Sequence, residues 1–185
     1  APARAICVFC GSSPGVNPAY AEVANAVGTE IARRGWTLVY GGGSVGLMGI
    51  LGDAALEAGG RVIGVIPRFL YEWEAGHDGL TELEIVETLT ERKVRMGDLS
   101  DAFLSLPGGI GTMDELFEVL SWAQLGLETK RNGLLNVSGY YDGLIAFLDR
   151  ATAEGFMKPK HRGLLHVSSD PQALLDALGK KGTVP

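Results

Sequence analysis

Short apolar runs alternate along the chain with longer segments of helical periodicity. Runs of this length without polar alternation are typical of strands that are buried on both faces of a parallel sheet. Their alternation with helical segments predicts stacked βαβ units, in which the helices cover both faces of the sheet. The predicted strands cover residues 5–10, 37–40, 61–66, 84–86, 102–106, 132–136 and 164–167.

Capping residues delimit the predicted helices. Asn17 followed by Pro18 predicts a helix start, and Gly35 predicts its end, because these residue types are favoured at helix termini. The predicted helices cover residues 18–34, 46–58, 90–99, 112–125, 141–154 and 170–178. The fold class is therefore α/β, a doubly wound parallel sheet with helices on both faces.

Two segments fall outside this regular pattern. Residues 67–81 form the longest irregular stretch, and a loop of that length inside a compact domain is more often functional than not. Residues 179–185 are expected to be a frayed tail. No shift in composition marks a second domain, so we expect residues 1–185 to form a single domain.

Charge and hydropathy narrow the classes of partner. The chain of 185 residues has 22 acidic and 16 basic side chains and a net charge of −6, which argues against nucleic acid and anionic membranes as partners. No apolar run reaches the roughly 18 residues that a membrane-spanning helix needs. The N-terminal segment lacks the features of a secretory signal, so a cytoplasmic location is expected.

The 27 glycines are about twice the usual share of roughly 7%, and many of them fall into three clusters. Residues 11–15, 41–49 and 108–111 follow the first, second and fifth predicted strands, so they meet at the edge where parallel sheets bind ligands. Backbone N–H groups and helix starts in such loops bind phosphate. Gly11, Ser12 and Gly43 are therefore candidate contacts to an anionic ligand.

A mononucleotide or sugar phosphate fits these loops better than a dinucleotide. Gly41, Gly43 and Gly46 match the dinucleotide fingerprint, but they follow the second strand, and no acidic residue ends the third strand to hold a ribose. Arg68 would suit a 2′-phosphate, so NADP stays open as an alternative. Cys7 and Cys10 form a Cys-x-x-Cys pattern within a buried apolar run, which favours a structural role over redox or metal chemistry.

Arg92 and Glu115 are candidates for the chemistry, each with a purely structural alternative. Thr112 and Glu115 have the spacing of a capping box, which Thr88 and Glu91 repeat. At Thr112, however, the pattern follows a glycine turn at the ligand edge, where a carboxylate would face the ligand. Arg92 opens a helix, where a cation opposes the dipole, and this unfavourable placement favours a functional pairing. The structural alternative is a solvated helix face that carries Glu91 and Arg95.

The chain resembles the "lonely guy" family of cytokinin riboside 5′-monophosphate phosphoribohydrolases, which have long been mislabelled as lysine decarboxylases. The resemblance rests on GGGSVGLMG at residues 41–49, on Arg92-Lys93 and on PGGIGTMDE at residues 107–115, and it extends over residues 7–13, 121–126 and 136–141. It implies a Rossmann-like homodimer that cleaves the N-glycosidic bond of adenine nucleotides. Members commonly carry Met-His where this chain has Leu89-Thr90, which leaves base preference and rate open.

The resemblance also assigns roles to residues. It implies that Arg92 and Glu115 are the catalytic pair. The other implied substrate contacts are Gly109, Ile110, Gly111 and Thr112 for the phosphate and ribose, and Glu74, Lys93 and Ser121 elsewhere. Cleavage passes through an oxocarbenium-like state that a carboxylate stabilises, while a fixed cation assists the leaving base, so no metal or redox cofactor is expected.

Two further expectations concern binding and assembly. The alternative function is a carrier that holds a nucleotide or a nucleotide-bearing cofactor without cleaving it, as related molybdenum-cofactor carrier proteins do. Apolar residues lie on more than one stripe of the helix after Thr112, which is typical of a helix that is deeply buried or faces a partner. They are Leu116, Phe117, Val119, Leu120, Trp122 and Ala123, and they favour a homodimer.

Overall fold

The computed structural model describes residues 4–73 and 76–180, and the predicted apolar runs form its strands. Every predicted strand and helix is present, with ends within two residues of the prediction. The elements in chain order are β1 (Ala5–Phe9), α1 (Pro18–Arg33), β2 (Thr37–Tyr40), α2 (Gly46–Glu57), β3 (Arg61–Pro67), α3 (Arg68–Trp73), β4 (Glu82–Val86), α4 (Leu89–Asp98), β5 (Ala102–Ser105), α5 (Ile110–Gln124), β6 (Arg131–Leu135), α6 (Asp142–Ala153), α7 (Pro159–Arg162), β7 (Leu165–Ser168) and α8 (Pro171–Gly179).

The strands form one parallel sheet of seven strands in the order β4-β3-β2-β1-β5-β6-β7. The chain runs outward from β1 to β4, returns to the centre and runs outward again from β5 to β7. Its direction therefore reverses between β1 and β5, and ligands of doubly wound folds bind at the carboxyl end of such a reversal. This topology confirms the predicted doubly wound α/β fold.

Alternating side chains of β1 pack on opposite faces of the sheet. Ile6 and Val8 join the core beneath α1, α2 and α8, while Cys7 and Phe9 join the core beneath α4 and α5. Cys10 is buried on the same face as Ile6, so the two cysteines lie on opposite faces, and both are free thiols. Burial raises the pKa of both thiols. Their predicted role as small apolar core residues is confirmed.

Two of the sequence expectations about irregular segments need correction. Residues 67–81 are not a continuous loop, because Pro67 ends β3 and α3 covers Arg68–Trp73. Gly179, expected in the frayed tail, belongs to α8, while residues 181–185 lie outside the described residues. No helix in the described part of the chain is long and apolar enough to cross a membrane.

Candidate active site

The loops that follow β1 and β5 meet at the reversal of the sheet. The Gly11 amide donates to the Pro107 carbonyl at 3.1 Å, and the Met48 amide of α2 donates to the Gly11 carbonyl at 3.3 Å. A cavity of about 190 Å³ opens beside these loops. Its lining includes eight of the predicted site residues, which are Gly11, Ser12, Arg92, Gly109, Ile110, Gly111, Thr112 and Glu115.

Arg92 is a buried cation, and its side chain is only 7% exposed. It lies in α4, and its guanidinium donates through Nε to the Val65 carbonyl at 2.9 Å and through Nη2 to the Gly41 carbonyl at 2.6 Å. A Cβ at position 41 would overlap the guanidinium, so this approach requires glycine there. Two strand-end carbonyls therefore fix the orientation of the cation at the cavity wall.

Glu115 lies on α5, and the predicted capping box around it is wrong. The helix begins at Ile110 with Gly109 as its N-cap, and no side chain caps it. Thr112 is instead inside the first turn, where it is buried against Gly108. Glu115, one turn beyond Thr112, is one of the residues that line the cavity.

Cys10 also lines the cavity, and the charges of both Glu115 and Arg92 act on the pKa of its thiol. Burial raises the pKa of Cys10, the Glu115 carboxylate raises it further, and the Arg92 guanidinium lowers it. The thiol therefore stays protonated near neutral pH, and a protonated thiol is a poor nucleophile. Charge in this cavity thus comes from the arginine and the glutamate.

Three of the predicted contacts, Lys93, Ser121 and Gly43, do not line this cavity. Lys93 pairs with Asp114 at 3.1 Å and Glu118 at 2.8 Å, which ties α4 to α5. Ser121 lies on the outer face of α5, beside Phe117 and Trp122. Gly43 forms an isolated bridge with Gly76. Glu74, a further predicted contact, lies outside the described residues. Their roles in binding stay predictions.

The structure also bears on the cofactor alternatives. Arg68, which would suit a 2′-phosphate, is ion-paired to Glu87 at 3.3 Å on the exposed surface of α3. Within residues 4–73 and 76–180, no group of three or more His, Cys, Asp or Glu side chains is arranged to hold a metal ion. The cavity beside Arg92 is lined by glycine loops, one arginine, one glutamate and several apolar residues.

Sequence reasoning missed several residues of this region. Cys10 and Met48 line the cavity, but apolar residues next to a glycine loop give no signal of which side they face. Tyr140 and Tyr141 follow β6, and their hydroxyls donate to the carbonyls of Gly108 at 2.5 Å and Leu106 at 2.6 Å. Neither tyrosine was predicted to contact the site, because sequence spacing does not show that the β6 turn contacts the β5 loop.

Known proteins resemble this chain in sequence over nearly its whole length. The probable cytokinin riboside 5′-monophosphate phosphoribohydrolase LOGL9 of Oryza sativa is 49% identical over 95% of this chain and 77% of its own length. The enzyme LOG1 of Arabidopsis thaliana is 46% identical over 95% and 82%, and the one from Rhodococcoides fascians is 46% identical over 95% and 89%.

Solved structures share the fold at lower identity, and a family model matches most of the chain. The molybdenum cofactor binding protein of Rippkaea orientalis has a TM-score of 0.71 at 21% identity, over 95% of this chain and 94% of that one. The carrier protein of Chlamydomonas reinhardtii has a TM-score of 0.69 at 24% identity, over 95% of each chain. The family model described as "Possible lysine decarboxylase" matches residues 48–178. With the sequence relatives at 46–49% identity, these matches show that the chain belongs to the family of cytokinin riboside 5′-monophosphate phosphoribohydrolases.

Proposed function

We propose that the protein hydrolyses the N-glycosidic bond of adenosine and cytokinin riboside 5′-monophosphates, releasing the free base and ribose 5-phosphate. The observation that carries the proposal is that Arg92, Glu115 and the start of α5 line one cavity. The names of relatives with 46–49% identity support the same reaction.

The start of α5 is suited to the 5′-phosphate. Its first turn has no side-chain cap, and Gly109–Thr112 of that turn line the cavity. The backbone N–H groups that a helix start leaves without helical partners are donors suited to an anion there. The helix dipole adds partial positive charge at the same place. A phosphate bound there would leave the ribose and its base extending toward Glu115 and Arg92.

Glu115 supplies negative charge where the reaction develops positive charge. Cleavage of an N-glycosidic bond passes through a ribosyl cation that resembles the oxocarbenium state of sugar hydrolysis. A carboxylate beside the anomeric carbon stabilises that cation and orients the water that attacks it. The water adds hydroxyl to the anomeric carbon, and its proton passes to the solvent or to the departing base.

Arg92 acts at the other side of the breaking bond. The departing base gains electron density, which a nearby cation stabilises. Arginine does not lose its proton in proteins, so its contribution is electrostatic and orientational. Because Val65 and Gly41 already hold the guanidinium, little reorganisation is needed as charge develops.

Release of free base from AMP and from isopentenyladenosine monophosphate tests the proposal. We expect base from at least one nucleotide, and a fall in kcat of about a hundredfold in Arg92→Lys, because a lysine does not reproduce the planar guanidinium fork. Arg95→Lys is the matched control on the same helix, since Arg95 pairs with Glu84 away from the cavity. Folded protein that binds either nucleotide and releases no base would be a carrier instead.

We further propose that the protein is a homodimer through α5. Phe117 is 37% exposed on this helix and lines an open apolar depression with Trp122, Leu125 and Leu127. Ile110 lines both this depression and the cavity, so a partner here would lie beside the site. Sedimentation at micromolar concentration is expected to give a dimer, and Phe117→Glu a monomer; a monomeric wild type would refute this. The cytoplasmic location stays a prediction.

A further inference from the structure

The carbonyl groups of the loop between β5 and α5 are oriented by hydrogen-bond donors that lie outside the loop. Three successive carbonyls of this loop accept hydrogen bonds: that of Leu106 from the Tyr141 hydroxyl at 2.6 Å, that of Pro107 from the Gly11 amide at 3.1 Å, and that of Gly108 from the Tyr140 hydroxyl at 2.5 Å. Two of the three donors come from the turn after β6. The β6 turn therefore holds the loop from which α5 begins.

The turn that presents these tyrosines is itself firmly held. Ser138 has φ of 51°, the only positive value among the non-glycine residues that the structure describes, and such a conformation persists only where its surroundings determine it. The Asn136 side chain accepts from the Tyr141 amide at 2.9 Å and donates to Asp142 at 2.7 Å, which bridges the turn. The turn therefore holds the backbone of Tyr140 and Tyr141 in a fixed position.

The Gly108–Gly109 peptide is the one that needs this support. A peptide between two glycines can rotate with little steric cost, because neither residue has a Cβ to restrict its dihedrals. In a trans peptide the N–H points opposite to the C=O. The Gly108 carbonyl accepts a hydrogen bond from the Tyr140 hydroxyl, which holds this carbonyl toward Tyr140. The Gly109 N–H is therefore held pointing away from Tyr140.

The direction of this N–H matters for an anion. Gly109 is the N-cap of α5 and lines the cavity of Arg92 and Glu115. With Gly11 and Ser12 it also lines an adjoining cavity of about 280 Å³, to which Tyr140 contributes but Arg92 and Glu115 do not. A rotated peptide would present a carbonyl oxygen in place of the N–H. A carbonyl repels a phosphate, so one wrong peptide orientation weakens the site.

We infer that Tyr140 is a positioning residue for the substrate phosphate, acting through the orientation of the Gly108–Gly109 peptide. This rests on the proposed function, because it takes the start of α5 as the phosphate site. Tyr140 needs no contact with the substrate for this role. Tyr141 fixes the neighbouring Leu106 carbonyl from a buried position and supports the same loop.

The test compares the binding of AMP and adenosine to Tyr140→Phe by calorimetry, in a Glu115→Gln background that prevents turnover. We expect about a tenfold higher Kd for AMP and less than a twofold change for adenosine, which lacks the phosphate. Phenylalanine keeps the ring, and Tyr140 is 44% exposed, so the fold is expected to survive. In the active enzyme, the KM for AMP rises while kcat stays within twofold.

Tyr20→Phe is the matched control. The Tyr20 ring packs edge-on against the Tyr140 ring with 5.5 Å between their centroids, and the substitution likewise removes one tyrosine hydroxyl. We expect its Kd for both ligands to be unchanged. Equal weakening of AMP and adenosine by Tyr140→Phe, or no weakening of either, would overturn the inference. Wild-type protein that binds AMP without releasing base would refute the hydrolase and leave this binding comparison intact.

Discussion

The starts of α4 and α5 carry the same Thr-x-x-Glu pattern, but they are built differently. At α4 the Thr88 hydroxyl accepts from the Glu91 amide at 3.1 Å, and the Glu91 carboxylate accepts from the Thr88 amide at 3.2 Å, which completes a capping box. At α5 the cap is Gly109, three residues before Thr112, and it makes no side-chain bond. One pattern caps its own helix, and the other lies inside a helix whose start has no side-chain cap.

The difference comes from the chain that precedes each helix. Leaving β5, the backbone is held at its carbonyls by Gly11, Tyr140 and Tyr141, and the glycines let it turn into the helix early. Thr112 is then carried inside the first turn and Glu115 one turn further, into the cavity lining. A helix start that its own side chains do not satisfy is the one that an anion can satisfy.

The largest expected effect separates the two glutamates. Glu115→Gln keeps the shape of the side chain and removes its charge, so we expect kcat to fall about a thousandfold, while AMP binding stays within a few fold. Glu91→Gln changes an exposed cap, so kcat is expected to stay within twofold. Steady-state release of base and calorimetric binding of AMP measure both. Equal turnover in Glu115→Gln and wild type would mean that Glu115 is structural after all.

Most elements of the fold could be predicted because local chemistry and tertiary packing agree. The Thr37–Tyr40 strand is predicted with both ends correct, since all four residues are buried and a helix stop precedes them. Helix α3 was missed because its six residues carry no capping signal and bury none of their side chains, and α7 has only four residues. Such short helices depend on their surroundings more than on their own sequence.

The site was predictable in its residue types but not in their directions. Arg92 and Lys93 are adjacent on α4, yet one is buried against strand-end carbonyls and the other pairs with α5. Neighbouring residues of a helix point about 100° apart, so two adjacent residues need not face the same cavity. Which of the two enters the cavity depends on packing, and the sequence alone does not show it.

A smaller effect is expected when Thr88 and Thr112 are each replaced by valine, and it should differ between the two positions. Thr88→Val removes a cap hydroxyl, so we expect a loss of about 1 kcal/mol in the free energy of unfolding, with unchanged KM for AMP. Thr112→Val removes a hydroxyl from a buried residue of the cavity lining, so we expect KM to rise about fivefold with a smaller loss of stability.

Thermal unfolding and steady-state kinetics of both valine variants measure this contrast. Threonine and valine side chains have nearly the same shape, so packing is retained and each substitution tests only the loss of the hydroxyl. A loss of stability in Thr112→Val as large as that in Thr88→Val, with no change in KM, would show that both threonines serve their helices. A higher KM with a smaller loss of stability in Thr112→Val would instead support a start of α5 that bound phosphate caps. In that case, added AMP should raise the melting temperature of the wild-type protein, because AMP binds the folded state.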